Sequence, residues 1–260
     1  MVTEVREYRR AAFDDVALLY DQIRPGYPDK LYKDLVGLSK IPDNGKILEI
    51  GAGTGQATLP LAEMGYHITA IELGDNLARV AKDKLKSFPE VEVLVDSFEK
   101  WELPSEPYDL VIAATAFHWI DPKLRFEKSA AALKLGGAIG IFGSWHEMEN
   151  DKEFIDATEP IYNRYMPPKE SYQRLAITPT GQELEATGLF INPVESSYKW
   201  TATYTANEYI RLINTYSEHR RLLEAQREGL FTDLTELINK DFGGHVTKHY
   251  TTRLIVAHKK

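Results

Sequence analysis

The strongest constraint on how this 260-residue chain can fold is Ile47-Leu48-Glu49-Ile50-Gly51-Ala52-Gly53-Thr54-Gly55, an apolar run that breaks into three alternating glycines. A buried strand passes there into a tight turn and then into a helical pattern, since glycine takes positive φ without steric cost. Backbone N–H groups at such a helix start are expected to face a polar ligand. Glu72 closes the next apolar run and follows Gly51 by 21 residues, close to the ~20-residue interval at which a dinucleotide unit places its ribose carboxylate. The segment reads as a nucleotide-cofactor loop. Glu72 suits a ribose diol and would repel a 2′-phosphate, which disfavours a phosphorylated nicotinamide.

Two details separate this loop from a nicotinamide fingerprint. The pattern is G-x-G-x-G, whereas the dinucleotide motif carries its third glycine one residue later to let helix and strand pack closely. Glu49 also stands two residues before Gly51, badly placed beside a pyrophosphate but well placed beside a cationic ligand. With an acid closing the second strand, ILEIGAGTG resembles the class I S-adenosylmethionine-dependent methyltransferases. The resemblance implies a doubly wound, Rossmann-like α/β fold. Its mostly parallel seven-stranded sheet would end in an antiparallel C-terminal hairpin, with a helical insertion after strand five. It also implies that the glycine turn lies under the methionine moiety of S-adenosylmethionine and that Glu72 holds the ribose hydroxyls.

The resemblance continues along the chain. Val91 to Asp96 reads as a third strand ending in an acid, followed by Ser97 and Phe98, where the family recognises the adenine edge and covers its ring. Tyr108 to Ala114 is a buried fourth strand. Leu133 to Gly137 reads as a helix end with a glycine stop before a strand at Ala138 to Phe142. The implied cofactor contacts are Glu49, Gly51, Ala52, Gly53, Thr54, Gly55, Glu72, Leu73, Asp96, Ser97, Phe98, Ala114 and Thr115. Pro60 falls in the first turns of the helix after the loop, where a missing donor costs little.

Composition narrows the function classes. Lys and Arg number 31 against 39 Asp and Glu, a net charge of −8, which opposes binding to a phosphate backbone. Nucleic acid is an unfavourable partner, and a small-molecule acceptor is expected instead. There is no cysteine, which removes disulfides, thiol nucleophiles and thiolate-held iron–sulfur clusters, and with them radical use of the cofactor. The histidines show no metal spacing, and His245 and His249, four apart, flank a strand pattern. No metal is expected. No apolar run approaches a membrane span and the charged start lacks a signal-peptide core, so a cytoplasmic protein is expected. Oligomeric state is not legible.

A single methyltransferase domain is expected over residues 1–260. It divides into an N-terminal helical lid (1–40), a cofactor-binding half (41–143), a cap insertion (144–193), and a C-terminal helix and strands (194–260). Strand signals near Ser197 to Thr203, a long helical stretch from about Asn207 to Asn239, and a last strand from Thr251 to Ala257 make up the final part.

Thr115-Ala116-Phe117-His118-Trp119 follows the fourth strand, at the carboxyl edge where open α/β sheets bind ligands. Here the chain resembles the small-molecule branch that includes trans-aconitate-methyltransferase-like proteins, in which a His-Trp pair often follows this strand. The stretch Tyr20-x-x-x-Arg24-Pro25-x-Tyr27-Pro28 is shared with that branch as well. The residues expected to shape methyl transfer are therefore His118, Trp119, Arg24 and Tyr20. His118 can act as a general base, position the acceptor, or only cap the following helix. Arg24, four residues from Tyr20 and so on one helix face, can pair with the cofactor's carboxylate or with an acidic acceptor. Tyr209, Ile213, Tyr216 and Arg220 recur at helical spacing, which burial alone explains; Tyr216, Ser217, His219 and Arg220 are also candidates for an acceptor pocket. Trp145 and His146, and in the cap Tyr162, Tyr165 and Arg174, are further candidates.

The expected function is methyl transfer from S-adenosylmethionine to a small polar or acidic metabolite, with carboxyl O-methylation as one form. A non-catalytic S-adenosylmethionine-binding module and a nicotinamide-dependent oxidoreductase are the alternatives.

Overall fold

The computed structural model describes residues 14–166 and 178–260. Its centre is a seven-stranded sheet in the order β3-β2-β1-β4-β5-β7-β6. The strands are β1 (Lys46–Ile50), β2 (His67–Glu72), β3 (Val91–Val95), β4 (Tyr108–Ala114), β5 (Leu133–His146), β6 (Phe190–Thr205) and β7 (His245–Lys259). The first five are parallel neighbours, while β7 runs antiparallel to both β5 and β6. The chain order reverses between β1 and β4, and ligands bind outside the carboxyl ends of the strands at such a switch point.

Both faces of the parallel part are covered, as βαβ crossovers require. Along β4, Leu110 and Ile112 enter one core with Leu31 and Leu35 of α2 (Asp29–Ser39), while Val111 and Ala113 enter the opposite core. That opposite core is closed by Ala130 and Ala132 of α5 (Arg125–Ala132) and by Leu184 of α7 (Gly181–Ala186). The other helices of the parallel half are α1 (Ala17–Ile23), α3 (Thr58–Glu63) and α4 (Asp75–Leu85). Pro60 occupies the third position of α3, as the sequence allowed.

A third core gathers the C-terminal half. It joins Phe154 of α6 (Lys152–Tyr165), Tyr209, Leu212 and Ile213 of α8 (Ala206–Ile213), Leu230, Leu234 and Ile238 of α10 (Glu224–Asp241), and Val246 and Tyr250 of β7. Helix α1 bridges the two halves. Asp14, just before it, accepts from Leu77 N–H at 2.9 Å, Asp21 pairs with Lys84, and Arg211 of α8 donates to Gln22 at 2.5 Å.

Three boundaries differ from the sequence reading. Leu133 to Gly137 belongs to β5 rather than to a helix end: Leu133 pairs with Tyr108, and Gly136 at φ +72° carries an irregularity before Ala138 pairs with Leu110. The expected long helix is three pieces, α8, α9 (Ser217–Arg220) and α10. Thr215 turns its hydroxyl back onto Leu212 O at 2.6 Å, competing with the helical ladder, and Tyr216 then takes an extended conformation with ψ 133°. The stripe of Tyr209, Ile213, Tyr216 and Arg220 is consequently not one helix face. Strands β6 and β7 are also much longer than the short runs the sequence showed. Arg174 lies outside the described residues. Among the described residues, no helix is long and apolar enough to cross a membrane.

Candidate active site

The site is built first from Glu72. Its two oxygens accept from Gly53 N–H and Gly74 N–H, both at 2.8 Å, so one carboxylate ties the glycine loop to the turn that starts α4. Gly51, Gly53 and Gly55 all take positive φ, and at Gly51 a Cβ would lie 2.6 Å from Ala116 Cβ. The loop after β1 and the loop after β4 therefore meet at the switch point. The expectation that loop amides face a ligand is not met at four positions. Gly51 and Ala52 N–H donate to Ile71 O, Gly53 N–H to Glu72, and Gly55 N–H to Ala52 O. The glycines shape a surface more than they offer donors.

Beneath this surface Glu49 is fully buried. Its Oε2 accepts from Thr58 Oγ1 at 2.7 Å, and among the described residues its Oε1 has no hydrogen-bond partner. Burial, reinforced by the nearby Glu72 charge, pushes the Glu49 carboxyl up to about 7. A buried carboxylate without a compensating cation is costly, and the chemistry of this donor set fits the positive charge of an adenosyl sulfonium or its ammonium group. Thr54 is buried and its hydroxyl also has no partner among the described residues.

At the neighbouring strand ends, Leu73 is exposed beside Glu72, and Asp96 accepts from Ser97 N–H at 2.7 Å while its own N–H donates to Glu72 O. Phe98 is placed differently from its expected role over an adenine ring. Only 1% exposed, it packs in the core beneath β1 and β4 with Leu48, Ile50 and Ile71.

After β4, Ala114 passes into Thr115, which takes φ +53° and donates its N–H to Phe142 O at 2.7 Å. The Thr115 hydroxyl is bonded to Tyr27 Oη at 2.7 Å, a contact the sequence did not single out. Tyr27 packs edge-on against Phe142 and is held well above its ordinary pKa by burial, so it stays a neutral phenol. His118 and Trp119 lie in the short 3-10 turn Phe117–Trp119 with rings 4.5 Å apart. His118 is buried and Trp119 half-buried.

Arg24 joins the two halves. At the C-terminus of α1 it donates from Nε to Thr215 Oγ1 at 2.7 Å and from Nη2 to Thr215 O at 3.2 Å, and its backbone carbonyl accepts from Gln56 Nε2. Its guanidinium lies 5.1 Å from the Tyr20 ring centre and 4.4 Å from that of Tyr216. Tyr20 and Arg24 lie together as their four-residue spacing implies, and Tyr216 and Thr215 join them. Tyr162 is bonded to His219 at 3.2 Å, and Tyr165 instead bonds Asp233. Among the described residues, Arg220, Ser217 and Trp145 enter no contact that defines the site. His146 and His249 both bind Asp151. Among the described residues, no group of three or more His, Asp or Glu is arranged to hold a metal.

A sheet with this order and a glycine crevice at its switch point is the architecture of Rossmann-like methyltransferases. The family described as "Methyltransferase domain" matches residues 47–137, from β1 into β5. An uncharacterized methyltransferase of Schizosaccharomyces pombe is 25% identical over 221 residues, covering 84% of this chain and 84% of the relative. A type II methyltransferase structure from Anaeromyxobacter dehalogenans superposes with a TM-score of 0.63 at 20% identity, over 90% of this chain and 97% of that one. Haemonchus contortus phosphoethanolamine N-methyltransferase 2, solved with S-adenosyl-L-methionine, gives 0.52 at 18% identity over 95% of this chain and 57% of its own. The matched domain, the methyltransferase-named relatives and the shared fold together support a methyltransferase of class I.

Proposed function

We propose that the protein moves the methyl group of S-adenosylmethionine to a small acidic metabolite, with a carboxylate oxygen as the acceptor atom. The observation that carries the cofactor half of this reading is the buried Glu49 carboxylate, whose Oε1 is unpartnered among the described residues beneath the glycine crevice. It favours a cationic ligand over a pyrophosphate, and so favours S-adenosylmethionine over a nicotinamide dinucleotide. In this reading Glu72 accepts from the ribose hydroxyls and Leu73 lies against the adenine, with Asp96 and Ser97 at its polar edge.

When bound, S-adenosylmethionine supplies a methyl group on a sulfonium, and the C–S electron pair leaves with sulfur as the acceptor oxygen forms the new C–O bond. A carboxylate is already ionised at neutral pH and needs no base. The protein's part is to orient the acceptor in line and to exclude water. A cation and an anion are neutralised as the bond forms, which a water-poor site favours. Arg24, held by Thr215 and flanked by Tyr20 and Tyr216, is suited to clamp an acidic acceptor. His118 and Trp119, on the loop after β4, orient it from the other side. The acidic acceptor also agrees with the resemblance to the trans-aconitate-methyltransferase-like branch.

Incubation with methyl-labelled S-adenosylmethionine and a metabolite extract, divided on an anion exchanger, tests this reading. Label in the retained pool is the expected result. Label confined to the neutral and cationic pool would remove the acidic acceptor. Binding of NAD in place of S-adenosylhomocysteine, measured by calorimetry, would remove the cofactor assignment.

A further inference from the structure

On β7, residues alternate between solvent and the third core, and the inward set is Val246, Lys248 and Tyr250. A lysine in that set is unexpected, because ammonium groups are almost never fully buried unless paired. Lys248 is only 5% exposed. Its Nζ has one long hydrogen bond, 3.5 Å to Tyr216 Oη, and lies 5.6 Å from the ring centres of Tyr209 and Tyr216 and 5.9 Å from that of Tyr250. Among the described residues no carboxylate forms an ion pair with it. Burial pushes the Tyr209 and Tyr250 phenols well above their ordinary range, so neither supplies a phenolate counter-charge.

Arg24, half-buried, likewise has no carboxylate partner among the described residues. Its partners are the Thr215 hydroxyl and carbonyl and two aromatic rings. Arg24 and Lys248 share the Tyr216 ring, at 4.4 and 5.6 Å from its centre, which puts the two cations at most about 10 Å apart. Two like charges gathered in an aromatic enclosure without an anion repel one another and lose hydration. Tyrosine faces offset part of that cost.

We propose that Lys248 and Arg24 form a two-cation recognition site for a carboxylate of the methyl acceptor, an inference that rests on the methyltransferase reading above. Arg24 offers a planar fork and Lys248 a point charge. Tyr216, in the break between α8 and α9, stands beside both.

The test is thermal unfolding of the protein without cofactor, titrated with citrate, succinate or inorganic phosphate at constant ionic strength. Wild type should gain about 3 °C or more with the carboxylates, as ligand linkage requires. Lys248→Met should show no such gain and should unfold at or above the wild-type temperature in the absence of anions, because a buried unpaired cation has been removed. Lys248→Arg should keep part of the response. In the labelled-methyl assay, Lys248→Met should raise the acceptor concentration for half-maximal transfer about tenfold, with the maximum changed less. No carboxylate response in wild type, an unchanged response in Lys248→Met, or a loss of its anion-free stability would overturn the proposal. A response to phosphate alone would overturn the carboxylate assignment. Absence of methyl transfer alongside an intact citrate response would count against the methyltransferase reading and leave the anion site standing.

Discussion

The glycine crevice and the aromatic enclosure on β7 carry buried charges of opposite sign. Among the described residues, the buried Glu49 carboxylate in the first has no cation, and Lys248 in the second has no anion. On the function proposed above, the difference separates what each half would receive, a sulfonium-bearing cofactor on one side and an acidic acceptor on the other. Each charge burdens the unliganded fold, and a ligand of the complementary sign relieves that burden.

The largest effect that would break this contrast is at Glu72. Its carboxylate receives two backbone N–H groups from separate turns, each charge-assisted bond contributing about 1.5–3 kcal/mol. Glu72→Ala should weaken S-adenosylhomocysteine binding at least about 100-fold by calorimetry and lower the melting temperature, while leaving the citrate response of the other half in place. Loss of both responses together would mean that the two regions do not bind independently.

Glu49→Gln sharpens the contrast through pH. Burial raises this carboxyl to about 7 from an ordinary value near 4.5, so between those values the folded state holds a proton that the unfolded state has released. Stability contributed by the protonated form is therefore present at low pH and lost as pH rises through about 7. The unliganded Gln variant should be more stable than wild type at pH 8, by on the order of 2 kcal/mol in urea unfolding, and should converge with it near pH 5. Its affinity for S-adenosylmethionine should nevertheless fall. Parallel curves at every pH would contradict a buried, strained carboxylate.

Next come the glycines. Gly51→Ala meets Ala116 at 2.6 Å as well as positive φ, whereas Gly53→Ala has φ +60° but open space around its Cβ. Gly51→Ala should thus cost more than Gly53→Ala, which should lose only about 1 kcal/mol of backbone preference. Equal losses in denaturant titrations would show that the β1 and β4 loops do not approach as closely as described.

The smallest effect is at Tyr27→Phe, which removes one hydrogen bond to Thr115. About 1 kcal/mol of stability is expected to go, with no change in pH dependence between 6 and 9, because the phenol is held neutral by burial. A new pH dependence in that range would assign Tyr27 a titrating role.

The two regions also differ in how far the sequence discloses them. Glu49, the three glycines and Glu72 lie within one strand-turn-helix-strand unit, so spacing alone places them, and β4 was legible as a single apolar run from Tyr108 to Ala114. Phe98 misled because the sequence does not say to which face an aromatic after β3 turns, and here the core takes it. Leu133 looked like the end of a helix since the pairing with Tyr108 that makes it strand is a tertiary fact. The enclosure draws Arg24 from α1, Tyr209 and Tyr216 from either side of a helix break, and Lys248 from β7. No periodicity links them, and the Thr215 back-bond that breaks the helix is invisible in a pattern of apolar residues. The one available signal was a lysine at an inward position of an otherwise alternating strand, and the length of β7 was not legible enough to use it.

The most direct test of the account is transfer of labelled methyl from S-adenosylmethionine into an anionic metabolite fraction, followed by mild base treatment of the product. Release of volatile label, as from a methyl ester, is the predicted result and would identify the acceptor atom as a carboxylate oxygen. Base-stable label would contradict it, placing the methyl group on nitrogen, carbon or an ether oxygen, and would make His118 the group to examine for proton removal.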